Sequence, residues 1–323
     1  MGGRAFLQTL PPNSFPRLHP KLYNAVKERL LQVLPELYGC VEVPPEAPEK
    51  LDHGDLDFVV ALPLNLESPA TTEDVKNALG ATAAITLEGN RMSNYAIDVQ
   101  VCDSKEQVES IVVFHGYGDL GIILFSLAQS YGLTLSPKGL KIGSPRPDPP
   151  VHLTSSPTAI LDFFGLSMEI WKKGFTTQQA VFEFVASSRL FNPHRLEKPS
   201  KPSQKKVIDT RNMYRDFLLW AHEQPSAPNA PCGEDDVVTE ALVKFSKKEE
   251  WDAMAKERYE RAWIKENFNG KLVAEWTGLG WRGVKTLMYE IRKDVGGERM
   301  LVGKPIVELK QLTIDTKHSL GLS

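Results

Sequence analysis

The residues most suited to chemistry lie in the segment Asp52-His-Gly-Asp55-Leu-Asp57-Phe-Val-Val. Side chains alternate faces along an extended strand, so Asp55 and Asp57 share one face while Leu56 and Phe58 point to the opposite, apolar layer. Two carboxylates held this close repel each other unless protons or a cation relieve the charge. The pair is therefore a candidate site for magnesium or manganese, hard cations that prefer oxygen ligands. Gly54, just before it, permits a sharp turn or the close approach of a phosphate. In Asn94-Tyr-Ala-Ile-Asp98-Val-Gln-Val, apolar Ile97, Val99 and Val101 alternate with Ala96, Asp98 and Gln100, which places Asp98 in mid-strand on the less apolar face. Charged residues are depleted from strand interiors, so an aspartate there points to a use.

The elements that must position these carboxylates alternate along the first part of the chain. Pro20 opens a helix with Leu22, Val26, Leu30 and Val33/Leu34 at helical spacing, ending at Pro35. A strand over Tyr38–Val43, a proline-rich Pro44–Pro48 stretch and a buried strand over Leu56–Leu62 follow. Thr71 or Thr72 caps a helix through Leu79 that Gly80 stops. Ala84–Glu88 and Tyr95–Cys102, joined by a loop from Gly89 to Ser93, are read as a hairpin. Ser104 with Gln107 forms a capping-box pattern, Asp119 is expected to cap the apolar helix Leu120–Tyr131, and Ser156-Pro157 and Thr176/Thr177 open two more helices. Beyond them, Trp251, Ala255, Tyr259, Ala262 and Trp263 form a helical stripe read as core. Asn269-Gly270 and Gly278-Leu-Gly280 then punctuate the final helices, where Arg282 and Lys285 flank free helix amides that could meet a phosphate or simply form a packing turn.

Composition bounds the answer. The chain has 323 residues, 41% hydrophobic and 24% charged, which argues against disorder, collagen or a coiled coil. Its 38 basic and 41 acidic residues exclude a strongly basic nucleic-acid sleeve but not a local patch. The division is uneven: 15 basic and 21 acidic residues lie before position 191, and 23 and 20 after it. Two surface linkers are expected, near 193–206 and 224–236; the first carries Lys198, Lys201, Lys205 and Lys206, a solvated cluster or a nuclear-import or phosphate-facing patch. Cys40, Cys102 and Cys232 offer no CxxC spacing. With no membrane-length apolar run and no signal-peptide region after Met1, an intracellular chain, cytoplasmic or nuclear, is expected.

Gly54-Asp55-Leu-Asp57 on one strand, followed 41 positions later by Asp98 on another, resembles the nucleotidyltransferase superfamily related to DNA polymerase beta, over about Leu30 to Val101, and especially its divergent viral and fungal members. The resemblance implies an α+β fold with a mixed sheet and flanking helices, a catalytic core over 1–150 and a mostly helical 151–323 that could bind the acceptor. It implies that Asp55 and Asp57 bridge the metal on a nucleoside triphosphate, that Asp98 helps hold a second metal, and that a nucleoside monophosphate passes to a hydroxyl, an RNA 3′ end or a small molecule. The superfamily's Gly-Ser phosphate loop has its best-placed counterpart in Gly39-Cys40, where a thiol replaces the hydroxyl. Lys50, His53 or Arg91 could supply the missing donor, alongside Gly54. Phe268 to Met288 resembles a helix, glycine-rich turn and helix at the end of tRNA-processing nucleotidyltransferases. A non-catalytic nucleotide- or RNA-binding module on the same fold is the alternative. The sequence carries no GxSxG elbow, P-loop or dinucleotide fingerprint, and no zinc-type histidine spacing.

Overall fold

A computed structural model of the chain describes residues 17–65, 67–87, 91–94, 97–144, 147–196, 206, 208–228, 230–231 and 233–322. It is an α+β structure in two compact units, Met1–Phe245 and Ser246–Ser323. The first unit extends well past residue 150 and includes the three-stranded sheet and helices described below.

Its main sheet contains β1 (Tyr38–Glu42), β2 (Leu56–Pro63), β3 (Ile85–Leu87), β4 (Arg91–Asn94) and β5 (Ile97–Val101), in the order β1-β2-β5-β4-β3. β2 and β5 run parallel and the other neighbours antiparallel, so the sheet is mixed. Leu56, Phe58, Val60 and Val99 face α1 (Pro20–Val33) and α2 (Thr72–Leu79), packing with Tyr23, Leu30, Val75 and Leu79. On the other face Val59 and Ala61 pack with Cys102 and with Val108 and Ile111 of α3 (Lys105–His115). β2 is thus buried on both faces over Phe58–Ala61, which explains its unbroken apolar run. Two residues before Val59, on that second face, Asp57 is exposed.

Local signals position these helices as the sequence suggests. His19 caps α1 by accepting from the Lys21 amide, with Pro20 at the first turn. Thr71 and Asp74 form a reciprocal capping box on α2, and Gly80 ends it with φ 65°. Ser104, Ser156 and Thr177 each accept from an amide of the helix they precede.

Three expectations are corrected. The Ala84–Glu88/Tyr95–Cys102 hairpin is replaced by three strands: β4 begins at Arg91, inside the expected loop, and pairs with both β3 and β5. Arg91 and Ser93 hide the alternation that sends Met92 against the core; Glu88 to Asn90, Tyr95 and Ala96 lie outside the described residues. Asp119 precedes α4 (Leu120–Gln129) without bonding to its amides, because its φ −90°, ψ 10° is not the extended conformation that turns a cap side chain back onto its helix. It instead accepts from the Tyr214 amide at 3.2 Å and from Arg211 Nη1 at 3.3 Å.

A second antiparallel sheet, β6 (Leu133–Ser136), β7 (Gly139–Ile142) and β8 (Val151–Thr154), follows, where the sequence reading assigned no strand. After it come α5 (Pro157–Phe163), α6 (Met168–Lys173), α7 (Gln178–Ala186), α8 (Asn212–Ala221) and α9 (Glu234–Lys244). Asp119 therefore caps α8. Of the linker lysines, Lys206 is exposed and Lys198, Lys201 and Lys205 lie outside the described residues, as does Cys232.

The second unit contains α10 (Lys248–Asn267), α11 (Gly270–Thr277), α12 (Trp281–Asp294) and α13 (Ile306–Ser319). α11, α12 and α13 pack pairwise around Val273, Leu279, Val284, Leu287, Ile291 and Leu309. The third correction is the aromatic stripe of α10: this helix has no fully buried residue and Tyr259 is 61% exposed, although Trp263 packs, partly buried, against the cluster of α11 to α13. Eleven of its twenty residues are charged, which leaves too narrow an apolar arc to bury. No single helix among the described residues is long and apolar enough to cross a membrane.

Candidate active site

The register of the parallel pair sets Asp57 directly beside Asp98. Neighbouring strands lie about 4.8 Å apart, and paired residues present their side chains to the same face. Asp55 stands two positions before Asp57, so three acidic residues lie near one another at the start of β2. Their charges register on one another. The residue as a whole is exposed, while neighbouring chain crowds the Asp57 carboxyl and displaces water from it. This loss of water, then the charges of Asp55 and Asp98, push it up to about 7. The Asp98 carboxyl is also pushed up, by burial first; the Ser93 hydroxyl opposes the rise, Asp55 adds to it, and Arg91 pulls it down.

Ser93 is fully buried and pairs with Asp98 across β4 and β5, its hydroxyl donating to Asp98 Oδ1 at 2.6 Å. Arg91, two residues earlier, pairs with Gln100 and so lies on the same face as the aspartates. His115, at the end of α3, is pushed below the usual imidazole range by burial and then by the charges of Arg91 and Arg211. The Arg91 guanidinium therefore stands near the acidic face, while Arg211 reaches His115 and Asp119.

Gly39 and Cys40 are not brought to the aspartates. β1 runs antiparallel to β2 and pairs Cys40 with Ala61, four positions and about 13 Å along the strand from Asp57. Gly39 lies against Leu62. The Cys40 thiol is pushed up by burial and then by Glu42.

The same antiparallel return brings the loop after β1 to the acidic end instead. Glu46 accepts from the Tyr23 hydroxyl at 2.8 Å and from Lys50, so Lys50 is committed to a carboxylate in this arrangement. His53, 5% exposed, stacks on the Tyr23 ring at 3.8 Å and has Nδ1 3.3 Å from Glu46, off the line of a hydrogen bond. Its backbone exchanges hydrogen bonds of 2.7 and 2.9 Å with Leu18. Burial, then Glu46 and, further off, Asp57 and Asp55 hold the Tyr23 hydroxyl well above its usual range, so it remains a donor. Arg17 pairs with Asp52 at 2.7 Å and covers Gly54, where an added Cβ would stand 3.1 Å from its guanidinium. His53, Tyr23 and Arg17 thus fix the chain immediately before the aspartates.

The donor set suits a hard divalent cation: oxygens only, with excess negative charge. As the side chains stand, however, no group of three or more His, Cys, Asp or Glu among the described residues encloses an ion, so a cation would have to draw the carboxylates inward. Sequence reasoning singles out the three aspartates and Arg91 but misses Ser93, Glu46 and Tyr23. Only Ser93 left a signal, in the alternation Arg91-Met92-Ser93; the others arrive through pairing and packing. No family model matches the chain, and no curated protein does.

Proposed function

We propose that the first unit carries a nucleotidyltransferase-like core that moves a nucleoside monophosphate from a nucleoside triphosphate to a hydroxyl. The observation that supports this reading is the in-register pairing of Asp57 with Asp98 on parallel strands, with Asp55 near enough for its charge to act on both. Asp55, Asp57 and Asp98 would hold magnesium or manganese, which when bound supplies charge neutralisation at the phosphates and acidifies the attacking hydroxyl. The chain's own contributions are positional. Ser93 orients Asp98, Arg91 offers a cation to a phosphate on the acidic face, and the Tyr23–His53 stack fixes the approach to β2. In the transfer, the acceptor oxygen bonds to the α phosphorus, the bond from that phosphorus to the bridging oxygen breaks, and pyrophosphate leaves. The proton of the acceptor hydroxyl passes to an ionised carboxylate or to water.

The acceptor is proposed to be an RNA 3′ end, with a small-molecule hydroxyl as the competing class. The test is to incubate the protein with α-labelled triphosphates, magnesium or manganese, total RNA and a metabolite extract, and to follow the label. Label in RNA or in a metabolite identifies the acceptor, and its loss in Asp57→Asn supports the assignment. A second reading, a non-catalytic nucleotide- or RNA-binding module, is favoured by the position of Gly39-Cys40 far from the aspartates. Calorimetry separates the two: triphosphate affinity that is equal with and without metal, and unchanged in Asp57→Ala, favours the module and sinks the enzyme.

A further inference from the structure

In the second unit α11 and α12 are joined by Gly278, Leu279 and Gly280, with Gly278 in the left-handed region at φ 73° and Leu279 buried in the core. This is a helix, three-residue turn and helix. α12 buries Val284, Leu287, Met288 and Ile291. At about 100° per residue, an arc of about 140° running from the edge of this stripe to the far side of the helix carries Trp281, Arg292, Lys285, Tyr289, Arg282, Lys293 and Thr286, and the helix's two acidic residues, Glu290 and Asp294, fall outside it. Trp281 is 75% exposed and Tyr289 64%. Trp281, Lys285 and Tyr289 stand at i, i+4 and i+8, an aromatic–cation–aromatic row with neighbours spaced about 6 Å along the axis. One edge of Trp281 lies close over the Gly270 backbone, where an added Cβ would stand 3.0 Å from its ring. Arg292 is paired with Glu298, and Lys293 with Glu290 at 3.4 Å, whereas Arg282 and Lys285 form no salt bridge with any described residue.

We propose that this face binds single-stranded nucleic acid, with phosphates on Arg282 and Lys285 and unstacked bases on Trp281 and Tyr289. Cations recognise the backbone, and exposed aromatic faces recognise base faces. In a duplex those base faces are occupied by stacking, so two exposed rings in one row favour a single strand over a groove. The unit's 15 basic against 12 acidic residues give the matching sign. This deepens the nucleotidyl-transfer reading by assigning residues that would hold a nucleic-acid acceptor, but the binding itself does not rest on that reading.

The test uses the full chain, carrying Asp57→Asn and without metal or triphosphate, and measures fluorescence anisotropy with a labelled single-stranded RNA, the same DNA strand, and the duplex of each. The expected result is saturable single-strand binding that weakens as salt rises, with the RNA and DNA arms showing which sugar is preferred. Trp281→Ala and Tyr289→Ala should each weaken it by about fivefold or more. Arg282→Glu with Lys285→Glu should flatten the salt dependence, while Lys310→Glu, an exposed reversal on α13, should leave binding unchanged. Melting temperatures check that the variants fold, and Tyr289 lies away from the Gly270 contact. Duplex bound as tightly as single strand, no saturable binding at low salt, or face variants that bind like the parent overturns the proposal. Because no turnover is read, failure here leaves the catalytic reading to its own assay.

Discussion

The side-by-side aspartates make a prediction that needs no substrate. Because Asp57 is pushed up to about 7, the folded chain keeps a proton there that the unfolded chain releases near pH 4. Unfolded protein therefore binds fewer protons between those values, and stability falls as pH rises through this window. Melting temperature should decline from pH 4 toward 7 through this group, and magnesium should restore more of it at pH 8 than at pH 5. Asp57→Asn removes one like charge and should raise the metal-free melting temperature at pH 8. Asp57 is exposed, so only a screened part of the shift counts; even about 1 kcal/mol corresponds to about 2–4 °C. A variant melting lower than the parent at pH 8, with no magnesium effect in either protein, contradicts the charge cluster. Ser93 yields a second prediction. Ser93→Ala leaves the partly buried Asp98 without its donor, and should cost about 1–3 kcal/mol of stability and about 10–100-fold in metal affinity or turnover. Unchanged metal affinity by calorimetry would show that Ser93 has no part in holding Asp98.

Among elements, the cap that Asp119 provides to α8 can be tested against the one it was expected to give α4. Asp119→Ala should destabilise the protein by about 0.5–2 kcal/mol, and Asp119→Asn, which can still accept from the Tyr214 amide, by less. Hydrogen exchange locates the effect: amides at the start of α8 should lose protection while those at the start of α4 do not. The opposite pattern would return the cap to α4. The same contrast shows what a sequence carries. The helix starts at Pro20, Thr71, Ser104, Ser156 and Thr177 were legible because a cap acts on amides two or three residues away. The strand over Leu56–Leu62 was legible through its apolar run. β4 was not: its residues Arg91, Met92, Ser93 and Asn94 have weak strand character, and only pairing on both edges makes them a strand. Gly39-Cys40 looked like a phosphate loop by chain distance, but the direction of β1 carries it to the wrong end of β2.

At the scale of the molecule, the boundary between Phe245 and Ser246 separates two differently charged bodies. The first holds 23 basic and 29 acidic residues and the second 15 and 12. Each has its own buried cluster, so neither depends on the other for a core. The second unit is short, about 80 residues, a size at which burial is only just sufficient for independent folding. Its advantages are local: α11 to α13 are close in sequence, and Asn269 caps α11 by accepting from the Lys271 and Leu272 amides. Lys317 reaches back to the Thr277 carbonyl at 2.9 Å, and Thr313 is fully buried with its hydroxyl bonded to the Leu309 carbonyl. Ser246–Ser323 produced alone should therefore be helical by circular dichroism and melt in one cooperative step. The fragment should also be retained on a cation exchanger at neutral pH where Met1–Phe245 passes through. A fragment that is unfolded in isolation would mean that the second core forms only with support from the rest of the chain, and that the charge difference does not mark a separable module.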